Sequence, residues 1–81
     1  MTYQVRLAAA VLARMKNLPD AALNALVERT ADLVEEPWDA QALYPGRRDY
    51  RHTTFGDFGL IHFHVDEQAE LITMYELVWA G

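Results

Sequence analysis

The period of the hydrophobic pattern changes at Pro37, and few folds accommodate that change. Before it, Leu23, Leu26, Val27, Thr30, Leu33 and Val34 recur at i, i+3, i+4 and i+7. That spacing predicts an amphipathic helix from Asp20 to about Glu36, stopped by Pro37. Ala8 onward, Val11, Leu12, Met15 and Leu18 follow the same period among alanines, so a first helix should end near the Leu18-Pro19 turn. After Pro37 the pattern alternates residue by residue, as strands do. Tyr50–Phe55, Phe58–Val65 and Leu71–Trp79 read as three strands, joined at Gly56-Asp57 and at "DEQA" (66–69) by connections of hairpin length. The opening "YQVRL" reads as a further short strand, and "PWDAQALYPG" as a loop. The expected order is β-αα-βββ, an α+β fold in two layers with a helical hairpin on one face of a small, mainly antiparallel sheet.

Eighty-one residues hold one core, so a single domain over 1–81 is expected. The chain has no cysteine, which excludes a disulfide framework and a thiolate metal site. No apolar run approaches the roughly 20 residues of a membrane span. The apolar start is broken by Arg6 and Arg14 and reads as folded structure rather than a leader, so a cytoplasmic location without membrane contact is expected.

The formal net charge of −5 argues against a general nucleic-acid coat. Yet "GRRDYRHTTFGDFGLIHFHV" (46–65) gathers Arg47, Arg48 and Arg51 with all three histidines, His52, His62 and His64. Arginine forks suit phosphate, and histidine exchanges protons near neutral pH. If Phe55 pairs with Phe58, Arg51 stands opposite His62. If Val65 pairs with Glu70, His62 stands opposite Thr73 and Leu60 opposite Tyr75. Arg51, Thr53, His62, His64, Thr73 and Tyr75 then share an open face, while Ile61, Phe63, Val65, Ile72, Met74 and Val78 lie under the helices. The plainer readings stand beside this one: His62 and His64 as the wet side of an ordinary sheet, Arg47 and Arg48 as a solvated loop, His52 at the edge of the helix–sheet layer, and Asp49 as an ion-pair partner of Arg48 and Arg51. His62 and His64 have no evident third ligand beyond His52 or Glu76, so neither a metal nor another cofactor is expected.

In order and spacing, "YQVRL", "LPDAALNALVERTADLVEEP" and "DYRHTTFGDFGLIHFHVD" resemble the RelE/ParE superfamily of bacterial type II toxins over nearly the whole chain. The resemblance implies a growth-inhibiting toxin held by a cognate antitoxin. RelE-like members are endoribonucleases that cut messenger RNA on the ribosome, and ParE-like members inhibit DNA gyrase without being enzymes. The arginine and histidine cluster favours the RNA-cleaving side, with Arg51, His62 and His64 as catalytic groups and Arg47, Arg48 and Tyr75 as RNA contacts. An inactive protein-interaction module of the same fold is the alternative from another class. The chain departs from the pattern at Gly59, where RelE-like toxins often carry arginine, in its apolar ending "LVWAG", and in its acidity. Leu26, Val27, Val34 and Trp38 are expected to form an apolar ridge, and this with the C-terminal strand suggests cover by a partner element or a homodimer.

Overall fold

A computed structural model describes residues 2–81 of the chain. The elements are β1 (Gln4–Leu7), α1 (Ala9–Met15), α2 (Asp20–Glu35), β2 (Gln41–Tyr44), β3 (Arg47–Phe55), β4 (Gly59–Asp66) and β5 (Leu71–Trp79). They form two helices on one face of a five-stranded mixed sheet of order β1-β5-β4-β3-β2. The chain leaves β1 at one edge, crosses by the helical hairpin to β2 at the other, and returns through three antiparallel pairings. It ends with β5 parallel to β1.

The α2 helix starts after Pro19, with Asp20 in its first turn, where a carboxylate meets the positive end of the helix dipole. It stops because Pro37 disfavours helical backbone at the preceding residue, and Glu36 is accordingly extended at φ −144°, ψ 83°. Ala22, Leu26 and Leu33 are its buried face. They close over Ile61, Phe63, Val65, Ile72, Met74 and Leu77, each at most 2% exposed. Burying one such large side chain contributes about 1.5–3 kcal/mol. The expected apolar ridge does not form as a unit: Leu26 belongs to the core, Val27 is 59% exposed, and the Arg48 guanidinium lies 4.1 Å over the Trp38 ring.

Three features differ from the sequence expectation. First, the segment read as a loop contains β2, which pairs with β3 through Tyr44↔Arg47. Pro45-Gly46 is the two-residue turn between them, with Gly46 at φ 76°, the backbone that a proline-then-glycine turn requires. Second, Phe55 pairs with Gly59, not Phe58, so the β3–β4 register moves by one residue. Arg51 therefore faces Phe63 on the helix side, and His52 faces His62 on the open side. Third, Val65 pairs with Ile72 and not Glu70, so Thr73 lies opposite His64 rather than His62, and β5 then bulges: Phe63↔Met74 is followed by His62↔Glu76, leaving Tyr75 as the extra residue. The bulge turns Leu77 inward at 1% exposure and Val78 outward at 42%, the reverse of the expected assignment for Val78. Ile61 and Phe63 are buried as expected.

Gly59 has a packing reason. A β-carbon there would stand 2.5 Å and 2.6 Å from two ring carbons of Phe55, which is itself 2% exposed and stacked with Trp79 at 6.2 Å. Gly59→Ala should destabilise the fold by about 1–3 kcal/mol, the usual cost of overpacking a filled site. Urea unfolding measures it, and an unchanged midpoint would show that the Phe55 ring can move aside.

Candidate functional site

The helices cover one face of the sheet and leave the other open. Register partners project to the same side, so Tyr50 with His64, and His52 with His62, stand together on the open face. β5 adds Thr73 opposite His64 and Glu76 opposite His62. The bulge keeps Tyr75 on this face, 6.2 Å from both the His62 and the Tyr50 ring. Tyr44 of β2 closes the end of the row, 5.8 Å from Tyr50.

These side chains line a cleft of about 590 Å³ formed by Tyr44, Arg47, Tyr50, His64, Thr73 and Tyr75. Its walls are aromatic: Tyr50 tilts against the His64 ring at 4.8 Å, and Arg47 lies 4.9 Å from the Tyr50 ring centre. Asp49 sits beside it and joins its polar groups. Arg47 donates from Nε to Oδ1 at 3.1 Å and from Nη2 to Oδ2 at 3.0 Å, a bidentate pair. His64 Nε2 lies 3.1 Å from the same Oδ2. The Arg47 hydrogen bonds hold the Asp49 carboxyl well below the usual carboxylate range. His64 adds a smaller push in that direction, and partial burial opposes both. Burial raises the Tyr75 phenol above its ordinary value, with Tyr44, Tyr50 and Glu76 adding to the rise, so it stays protonated at neutral pH.

Of the residues singled out from sequence, the fold brings together Arg47, His64 and Tyr75, and places His62 next to Tyr75 with its Nδ1 3.8 Å from Glu76. It does not bring Arg51 there. Arg51 lies on the helix-side face and donates to the backbone carbonyls of Ala40 at 2.6 Å and Arg48 at 3.0 Å, tying the strand to the segment that follows α2. Thr53 is on that side too, held by Arg29 of α2 at 2.9 Å and 3.1 Å. Arg48 turns to Glu67 at 3.3 Å and to Trp38. His52 stands on the open face rather than at the edge of the helix layer, with its ring 5.9 Å from His62. Asp49 pairs with Arg47 and not with Arg48 or Arg51. Tyr44, Tyr50 and Asp49 are the members that sequence reasoning missed. Tyr50 shares the alternation of His52, and the Pro45-Gly46 turn is the signal for the strand that carries Tyr44. Among the described residues no three His, Asp or Glu side chains are grouped to hold a metal ion. No helix among them is long and apolar enough to cross a membrane.

No protein-family model matches the chain, and no curated protein matches its sequence. Solved structures do match its shape. A chain of the RelBE2 toxin–antitoxin complex of Mycobacterium tuberculosis superposes with a TM-score of 0.84 at 18% identity, covering 98% of this chain and 99% of that one. A variant of the Escherichia coli toxin RelE in the free state gives 0.84 at 16%, covering 99% and 85%. The archaeal RelE–RelB complex of Pyrococcus horikoshii gives 0.76 at 19%, covering 100% and 98%. The chain shares its fold with these RelE structures.

Because the folded-state carboxyl of Asp49 is depressed, its stabilising contribution is complete above the ordinary aspartate value near 4 and is lost as pH falls below it. The stability difference between the parent and Asp49→Asn should therefore shrink in acid from about pH 4 downward. Denaturant midpoints across pH 2–7 measure this, and parallel curves would contradict it.

Proposed function

We propose that this chain is the toxin of a toxin–antitoxin pair and that its open sheet face is an RNA-cleaving site. The observation that carries the reading is the cleft in which Arg47, His64 and three tyrosines meet on an otherwise uncovered sheet. Support for the toxin role comes from a fold shared over nearly all of this chain with RelE chains solved alone and with antitoxins. A cognate antitoxin is the proposed partner. An apolar groove between the helices and β1, lined by Val5, Leu7, Met15, Leu26 and Val27, offers such a partner about 290 Å³ to fill.

Cleavage by 2′-hydroxyl attack needs a proton acceptor, a cation at the phosphate and a proton donor for the departing 5′-oxygen. A carboxylate at Nε2 selects the imidazole tautomer whose Nδ1 lone pair is free, so His64 takes the 2′-proton as the 2′-oxygen bonds to phosphorus. Arg47 meets the charge that develops on the phosphate oxygens. The protonated Tyr75 phenol is a donor at neutral pH, and Tyr44 and Tyr50 offer faces on which bases stack. His62, beside Tyr75, is the second proton-transfer group within this row. Arg51, engaged with carbonyls on the other face, has a structural role.

A second reading has its own observation: Arg47 is already neutralised by Asp49, and the chain carries a net charge of −5. Those facts favour an inactive interaction module. Induction in a bacterial host separates the cases. The nuclease reading expects growth arrest with loss of messenger RNA. His64→Ala should lower cleavage about 10²–10⁴-fold and Arg47→Ala about 10²–10³-fold, while both variants stay folded and lose only the stabilisation that the Asp49 pairing supplies. Arrest with a DNA-damage response would point to gyrase instead, and no arrest to the interaction module. Full toxicity of both variants would remove this cleft from the mechanism.

A further inference from the structure

The two groups in the cleft that best suit a phosphate are both committed to one internal oxygen. Arg47 Nη2 and His64 Nε2 converge on Asp49 Oδ2 from 3.0 Å and 3.1 Å, and Arg47 Nε completes a fork on Oδ1. Two N–H groups meeting one oxygen of an anion is the arrangement in which an arginine fork and the Nε2–H of an imidazole would hold a phosphodiester, leaving Nδ1 free. Arg47 and His64 line the cleft, and Asp49, which is not among its lining residues, holds a polar group of each. The pair is not locked in place, since the side chains of Arg47, Asp49 and His64 are 58%, 31% and 34% exposed. Exposed ion pairs of this kind are weak enough for a competing anion to exchange with them. The other cations of the segment give no alternative receptor, because Arg48 is with Glu67 and Trp38, and Arg51 is on the far face.

We propose that Asp49 is an internal occupant of the phosphate position, and that a phosphodiester of single-stranded RNA binds by displacing its carboxylate from Arg47 and His64. This rests on the reading of the open face as an RNA site and adds how that site is kept closed. Stacking on Tyr44, Tyr50 and Tyr75 supplies the contacts that a bare anion lacks, so the ligand is a phosphate flanked by bases. An aspartate that only positions His64 would act the other way: its removal would leave RNA affinity unchanged and lower turnover.

The test is equilibrium binding of a short 2′-O-methylated oligoribonucleotide, which cannot be cleaved through its 2′-oxygen, to the folded parent and to Asp49→Asn. The variant should bind roughly three- to thirtyfold more tightly, the worth of two exposed ion contacts no longer competed for. Arg47→Ala in the Asp49→Asn background should abolish the gain, and Tyr75→Ala in that background should weaken binding of the oligonucleotide while sparing inorganic phosphate. Equal or weaker binding by Asp49→Asn, or binding by neither protein, overturns the proposal. A gain in affinity in a protein that never cleaves RNA upholds the internal occupant and rejects the nuclease, so the two claims fail separately.

Discussion

The Phe55 ring lies across Gly59, and the placement of side chains on both faces of the sheet follows from that contact. The ring fills the space that a side chain at position 59 would need, stacks on Trp79, and so pins Phe55 opposite Gly59. A one-residue slip in this hairpin would exchange the two faces of β3. With the pairing as it stands, Arg51 and Thr53 turn toward the helices, and Tyr50 and His52 turn to the open side beside His64 and His62. The same contact leaves no room for a side chain at position 59. The arginine that lines the cleft is Arg47, at the start of β3.

A second constraint acts at the other side of β4. The bulge at Tyr75 changes which residues of β5 point inward, so Met74 and Leu77 are both buried although three positions separate them. One extra residue thus serves two ends: it completes the core beneath and leaves Tyr75 above, against His62 and Tyr50. Charge on this face is balanced locally. Arg47 and His64 meet Asp49, His62 faces Glu76, and the net-acidic chain presents little free positive potential.

Much of the fold was legible in the sequence because its signals are local. The 3.6-residue period of Leu23 to Val34, the stop at Pro37 and the alternation in Ile61-His62-Phe63-His64-Val65 each mark an element without reference to the rest. The β2 strand has only the Pro45-Gly46 turn to mark it: Gln41–Tyr44 is four residues long with three of them exposed, so no apolar alternation announces it. The register was missed because Gly56-Asp57 reads as a two-residue turn, whereas the connection also includes Phe58, which is 57% exposed. That single residue moved Arg51 away from the site. The bulge misplaced Val78 for a similar reason, since its cause is three-dimensional packing and not the period of β5. Asp49 was visible as an ion-pair residue, but its partners depend on the curl of β3 beside the Pro45-Gly46 turn.

The central claim is that the β3–β4 register separates Arg51 from the histidines and unites Tyr50 with His64. Nuclear Overhauser contacts between backbone protons of β3 and β4 measure that register directly. The structure predicts cross-strand contacts joining Tyr50 to His64, Arg51 to Phe63 and His52 to His62. Contacts joining Arg51 to His62 would place the arginine on the open face and contradict the account.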